Sequence, residues 1–348
     1  MGIVGGFDVH RAQITFEYID QEDGEVRRGQ IRPATREDLR AWLTPFRGVP
    51  DVSFALEATT GWRFIVEELQ GAGIAAHLAE PADTRALRGP KRRAKTDRAD
   101  AHHLRTLLQD GRLPESWIPP LHISELRTRV RLRHSLVQQR TAWLQRIQAV
   151  LFHHGQPTVR RLLTAEHRAW LDRVELTPAA REALIVALRM VDHIGEELGP
   201  LERDLTAFAR RQQGCRALMA HYGVGPCIAP VILAELGDPR RFSSSRHAVR
   251  YAGLDITVYA SDDHRAAGRL SRQGPPILRW ALYEAAKVAA REPSPDHRSY
   301  LDAKARLGGY RATLVIARRL LRRCYHTLRD LGDLALAPAE PDPQQDAA

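Results

Sequence analysis

Ile3–Val9 is a short apolar run broken only by Asp8. Gln13–Tyr18 alternates polar and apolar side chains, and Glu25–Ile31 does so more weakly. Segments of period two predict strands, and Asp20-Gln21-Glu22-Asp23-Gly24 predicts the turn that makes the last two antiparallel neighbours. Thr35-Arg36-Glu37-Asp38 reads as a capping-box-like start for a helix through Trp42. Val52–Leu56 predicts a buried strand ending at Glu57. Trp62–Gln70 predicts a helix stopped by Gly71-Ala72-Gly73, and Ile74–Leu78 another strand. A helix from Asp97 to Leu108 follows, and Pro114, Pro119 and Pro120 mark a boundary.

The order is then β-β-β-α-β-α-β followed by a helix, which is the order of ribonuclease-H-like domains. Beyond the prolines the period changes. Leu126, Val130, Val137, Leu144, Ile147 and Leu151 recur at spacings of three, four or seven, so Leu121–His154 predicts one long helix. At 1.5 Å per residue it would span roughly 50 Å. Gly155-Gln156-Pro157 ends it. A second helical stretch, Pro178–Arg211, could fold back along the first as a stalk or dimerisation arm. Further helices are expected at Ile228–Leu236, Arg246–Ala252, Pro276–Arg291 and Tyr310–Leu331, with Gly253–Gly274 as loop or short strands. The tail after Leu334, rich in Ala, Pro, Asp and Gln, is expected to be disordered. The expected class is α/β plus all-α: an α/β domain at 1–115, a helical arm at 116–212, a helical domain at 213–333 and a tail at 334–348.

Charge narrows the partners. The 52 Lys and Arg outnumber the 42 Asp and Glu by ten. A basic excess suggests a polyanionic partner, with nucleic acid the leading candidate. No run of 18 apolar residues exists, so no membrane span is expected. The N-terminus lacks the features of a signal peptide. Cys215, Cys227 and Cys324 form no CxxC pair, which argues against a disulfide framework or a zinc knuckle and suggests a reducing, cytosolic setting; a nucleic-acid partner would place the protein at the nucleoid. There is no GxxxxGK[ST] phosphate loop.

Four acids stand out by context. Asp8 lies in an apolar strand, Glu57 ends another, and Asp97 and Asp100 share one face at a helix start. A carboxylate buried without a partner is costly. Singly, each has a bland reading: strand-end turn, surface acid, helix N-cap. Together, beside a basic run, they suggest a metal site. Four carboxylates balance the charge of two divalent cations, Mg²⁺ by preference or Mn²⁺. The basic run holds Arg85, Arg88, Lys91, Arg92, Arg93, Lys95 and Arg98, and reads as a loop. Arg269 and Arg272, and on the last helix Arg318, Arg319, Arg322, Arg323 and Arg329, are the other candidates for phosphate contact. His102-His103 and His153-His154 read as surface or phosphate-facing rather than metal-binding. Trp62, Trp143 and Trp280 read as core or interface.

The chain resembles the insertion sequence 110 family of transposases. Gly6-Phe7-Asp8-Val9-His10, Leu56-Glu57-Ala58-Thr59-Thr60-Gly61 and Lys95-Thr96-Asp97-Arg98-Ala99-Asp100-Ala101 look like its Asp-Glu-Asp-Asp signature. Gly223-Val224-Gly225-Pro226 looks like its helix-hairpin-helix-like turn. Tyr251-Ala252-Gly253-Leu254, Ser261, Arg269-Leu270-Ser271-Arg272-Gln273-Gly274 and Leu278-Arg279 look like its C-terminal domain. The resemblance implies a RuvC-like ribonuclease-H domain, a coiled-coil linker and a helical transposase domain. It also implies a catalytic serine seven residues after the Gly-Leu pair, here Ser261, which would form a phosphoserine–DNA intermediate. Donor and target double-stranded DNA, an element-encoded bridge RNA and a dimeric or tetrameric assembly come with it. One departure is local: Asp262-Asp263 follow Ser261 where the family places Gly. Ser243, Ser244, Ser245 and Ser271 are competing hydroxyls. Two rival readings remain: a RuvC-like resolvase or nuclease using water, and a non-catalytic nucleic-acid-binding protein.

Overall fold

The structure is a computed structural model. It describes residues 2–88, 96–256, 260–261, 264–265 and 268–340, the four residues between 260 and 265 by backbone alone. The chain divides into two compact units, Met1–Ile118 and Pro119–Ala348.

The first unit is built on a five-stranded sheet: β1 (Ile3–Val9), β2 (Ile14–Asp20), β3 (Val26–Ile31), β4 (Ser53–Glu57) and β5 (Ala75–Ala79). The spatial order is β3-β2-β1-β4-β5. The first three strands are antiparallel neighbours, while β4 and β5 run parallel to β1. Helices α1 (Arg36–Leu43), α2 (Trp62–Gly71), α3 (Pro81–Ala86) and α4 (Asp97–Gln109) complete it. Thr35 and Thr96 cap α1 and α4 by accepting from Asp38 N and Ala99 N, which satisfies backbone donors that a helix start leaves open. Under α1 lies an aromatic core, with Phe7 stacked on Phe54 at 4.6 Å and Trp42 set edge-on to both. On the other face α4 packs across β1 and β2. Gly6 makes that possible: a Cβ there would sit 2.3 Å from Ala101 O and 2.6 Å from Arg105 N.

The second unit is helical. Its elements are α5 (Leu121–His153), α6 (Ala165–Arg173), α7 (Pro178–Arg211), α8 (Gln213–Met219), α9 (Ala229–Leu236), α10 (Ser245–Tyr251), the two-residue strands β6 (Ala260–Ser261) and β7 (His264–Arg265), then α11 (Pro276–Ala289), α12 (His297–Leu307) and α13 (Gly309–Leu331). Helices α5 and α7 are antiparallel. Leu126 and Val130 meet Leu205 and Ala209 at one end, and Ile147 and Leu151 meet Leu184 and Ala187 at the other. The first end shares its core with Leu233, Leu282 and Leu320, so the arm is rooted in the C-terminal helices. The far end is closed by Leu171 of α6. Ion pairs Arg129–Asp204 and Arg133–Glu202 add to the contact along α5 and α7. No helix among the described residues is long and apolar enough to cross a membrane.

Four helices, α3, α6, α8 and α12, escape the sequence pattern. In α6 and α12 only Leu171 and Ala303 are buried, so neither has an apolar stripe to read. Helix α3 precedes the stretch expected to run as loop and shares only Arg85 and Ala86 with it; it is short, starts on Pro81 and is capped by Glu80. The tail needs a correction. Residues Gly332–Leu336 form a 3₁₀ turn, Ala335 is fully buried, and its carbonyl accepts from Gln212 Nε2 at 2.9 Å. Disorder from 334 onward is therefore wrong for this part; its backbone carbonyls satisfy buried donors. Residues 341–348 lie outside the described residues.

Candidate functional site

Asp8 and Glu57 come together because their strands are parallel neighbours. Each follows the Phe7–Leu56 pair at the same end of the sheet. Asp97 and Asp100 occupy the first turn of α4, and their face is set by the Gly6 contact that seats this helix on β1. Carboxylates there also meet the positive end of the helix dipole. The side chains of Asp8 and Asp100 are 18% and 12% exposed, and that of Asp97 is 43% exposed.

Electrostatics link the four. Burial pushes the Asp8 carboxyl above its ordinary value. His10 opposes this, and the charges of Asp100 and Asp97 add to it. Arg88 joins the other two, with Nη1 2.5 Å from Asp100 Oδ1 and Nη2 3.8 Å from Glu57 Oε1. Asp97 is oriented by Gln13, whose Nε2 donates to Oδ2 at 3.0 Å, and Arg32 in turn donates to Gln13 Oε1. The structure thus gathers the four sequence-predicted acids as two neighbouring pairs: Asp8 and Asp97 meet around His10, and Glu57 and Asp100 are bridged by Arg88. The donor chemistry fits hard divalent ions: several carboxylate oxygens, one of them disfavoured in its charged form.

Sequence reading missed three residues here. His10 Nε2 lies 3.1 Å from Asp8 Oδ2 and 3.5 Å from Asp97 Oδ1. The signal was the period of two, which puts residues 8 and 10 on one face of the strand. Gln13 carried no signal, because its contact to Asp97 crosses 84 positions of sequence. Glu17 is the third. It is 2% exposed in β2 and bonded to His102 Nδ1, Arg105 Nε and Arg28 Nε at 2.6, 2.8 and 2.5 Å. Burial pushes its carboxyl up, and these bonds outweigh it, leaving it below the ordinary value. His102 is exposed, as expected, and its ring also belongs to this ion cluster. His103 Nε2 lies 3.2 Å from the Thr84 carbonyl.

The basic candidates divide. Arg85 is exposed on α3, and Arg88 is engaged with the acids. Lys91, Arg92, Arg93 and Lys95 lie outside the described residues. Arg269, Arg272, Arg319 and Arg322 are exposed. Arg323 is ion-paired with the largely buried Asp296, and Arg318 Nε donates to Leu254 O at 2.6 Å, so these two do structural work.

Ser261 is described by backbone alone, in β6, paired with His264 of β7. The base of its segment is tightly built. Gly253 and Gly274 both have positive φ, 64° and 74°, and a Cβ would lie 2.2 Å from Gln273 O at the first and 1.8 Å from Tyr251 O at the second. Arg279 Nη1 donates to Ala252 O at 3.1 Å. Three of the four competing hydroxyls are engaged: Ser244 caps α10, Ser243 Oγ contacts His247 Nδ1, and Ser271 Oγ donates to Asp255. The Gly223-Val224-Gly225-Pro226 turn joins α8 to α9. Gly223, at φ 91°, passes so close to α11 that a Cβ would lie 2.3 Å from Ala285 O.

A mixed sheet with two antiparallel and two parallel pairings, backed by α4 and carrying gathered acids, is consistent with a ribonuclease-H-like DEDD transposase domain. Comparison with known families agrees. A DEDD model of IS110 elements described as "Transposase" matches residues 5–154, and a model described as "Transposase IS116/IS110/IS902 family" matches residues 215–302. The chain belongs to the IS110 family of transposases. Among its relatives, a "Probable family 20 transposase" of Pseudomonas aeruginosa is 25% identical over 295 residues, 82% of this chain and 83% of that protein. The "Transposase for insertion sequence element IS1111A" of Coxiella burnetii is 23% identical over 240 residues, 68% and 65% of the two chains. The "Transposase for insertion sequence element IS1328" of Yersinia enterocolitica is 23% identical over 259 residues, 72% and 74%.

Proposed function

We propose that this transposase cuts and exchanges DNA strands through a phosphoserine intermediate formed by Ser261 under the influence of Asp8, Glu57, Asp97 and Asp100. The observation that carries the reading is the meeting of four acids from β1, β4 and α4, beside a cation that bridges Glu57 and Asp100. Divalent ions, two Mg²⁺ in the charge-balanced case, would activate the serine hydroxyl, orient the phosphate and stabilise the leaving oxygen.

The serine step conserves bond energy. Ser261 Oγ forms a bond to phosphorus, the phosphorus–oxygen bond to one deoxyribose breaks, and that oxygen leaves as a hydroxyl carrying a proton. A strand-end hydroxyl later attacks the ester, restores a phosphodiester and returns the proton to serine. No nucleotide is consumed, in keeping with a chain that lacks a phosphate loop. Arg85 and the exposed Arg269, Arg272, Arg319 and Arg322 are placed by this reading along the nucleic acid, with Lys91, Arg92, Arg93 and Lys95 beside the acids in sequence. Such contacts hold phosphate without reading bases, so recognition of donor and target falls to a partner, the bridge RNA implied by the family. The acids and the serine belong to different compact units, and assembly into a dimer or tetramer would allow one subunit's serine to serve another's acids.

The test is strand cleavage of labelled DNA in Mg²⁺ with candidate RNA. Single replacements Asp8→Asn, Glu57→Gln, Asp97→Asn and Asp100→Asn are expected to lower the rate by at least about 10²-fold, the scale of losing one preorganised electrostatic group. Full cleavage by all four variants would refute the site.

A further inference from the structure

His10 is placed as a metal ligand would be. Its Nε2 is 3.1 Å from Asp8 Oδ2 and 3.5 Å from Asp97 Oδ1, and one donor atom from each of these residues lies within 4.8 Å of the others. Adjacent ligands on an octahedral ion, each at about 2.1 Å, are separated by about 3.0 Å. The 3.1 Å separation matches an edge of one coordination polyhedron, and the 3.5 Å separation exceeds one by about half an ångström. Two further features make this a built arrangement. Gln13 and, behind it, Arg32 hold the far oxygen of Asp97, leaving Oδ1 turned to His10. Outer partners of this kind orient ligands. His10 is also 54% exposed, so its ring is held by its hydrogen bond to Asp8 and its approach to Asp97 rather than by packing.

We propose that His10 Nε2 coordinates a divalent ion together with Asp8 and Asp97, so that one position of the acid site carries a nitrogen donor. This rests on the acid-site reading above. Mg²⁺ takes oxygen ligands by preference, whereas imidazole suits transition metals. The position held by His10 should accordingly prefer Mn²⁺ to Mg²⁺.

The test uses the full chain with Mn²⁺ alone as probe, read by electron spin echo modulation and by titration of bound Mn²⁺. The expected result is ¹⁴N modulation of imidazole type that disappears in His10→Ala. That variant should bind Mn²⁺ about tenfold more weakly, at least the loss caused by removing an outer-shell partner. Its Mg²⁺ affinity, measured by competition, should fall less. Because His10 is exposed, unchanged circular dichroism and melting in chelator will show that the variant folds. Modulation that is absent, or that survives in His10→Ala, overturns the proposal while leaving the acids in place if Asp8→Asn still abolishes binding. Mn²⁺ binding unaffected by Asp8→Asn overturns both readings.

Discussion

Asp8 is a carboxylate whose charge the fold disfavours, through burial first and then through Asp100 and Asp97, partly offset by His10. Its neutral isostere should therefore stabilise the protein in chelator while removing the gain that divalent ions bring. Asp8→Asn is expected to melt at higher temperature than wild type without metal, and to show a smaller rise on adding Mg²⁺ or Mn²⁺. Thermal melts of the two proteins in chelator and in metal check both signs. Glu17 behaves in the opposite way. Its carboxyl is held below the ordinary value near 4.5, so its contribution is complete above that value and is lost as pH falls through the lower folded value. Glu17→Gln would remove the charge that neutralises the largely buried Arg105, at a cost of about 3 kcal/mol at neutral pH. Denaturant unfolding at pH 7 and across the acid range should show this loss and a flatter acid limb in the variant. At this scale the sequence pointed to Asp8 and Glu57, because carboxylates in or ending apolar strands conflict with burial, and to Asp97 and Asp100 by their spacing on one face of a helix start. It did not disclose Gln13, Glu17 or the bond from His102 to Glu17, because those depend on side chains meeting across a sheet and a helix.

At the scale of elements, the strands and long helices were legible from period alone. Pro178–Arg211 matches its predicted bounds, and Thr35 and Thr96 cap where their helices begin. Helices without an apolar stripe were not legible, as α12 shows. Nor was Gly6, since a glycine in a strand announces a close approach without saying what approaches. Gly6→Ala would drive a methyl into the backbone of α4, costing about 1–3 kcal/mol. The displaced helix carries Asp97 and Asp100 away from Asp8. Cleavage should fall further than stability, a difference seen by comparing rates at a temperature where both proteins are folded. Arg318 acts similarly on the serine segment. Arg318→Ala leaves the carbonyl of the buried Leu254 unpaired, at about 1–3 kcal/mol, and is expected to slow serine–DNA linkage. DNA-binding affinity that fell as steeply as the linkage rate would instead assign Arg318 to phosphate contact.

The whole molecule places acids and serine in separate compact units, with an antiparallel helix pair rooted in the second. Sequence alone separated the arm from the C-terminal helices, because a long helix reads as its own element; the shared core of Leu126, Val130, Leu233 and Leu320 appears only in three dimensions. Sharing of the site between subunits predicts that Asp8→Asn and Ser261→Ala chains, each inactive, recover part of the cleavage activity when mixed. No recovery, in mixtures shown to exchange subunits, would place both groups in one chain. The most direct measurement of the central claim is covalent: full-length protein is incubated with Mg²⁺, candidate RNA and labelled DNA, digested, and searched by mass spectrometry for a DNA-linked peptide. The account predicts a nucleotide attached at Ser261, absent in Ser261→Ala and in Asp100→Asn. Cleaved DNA with no linked peptide, or linkage at another residue, would contradict it.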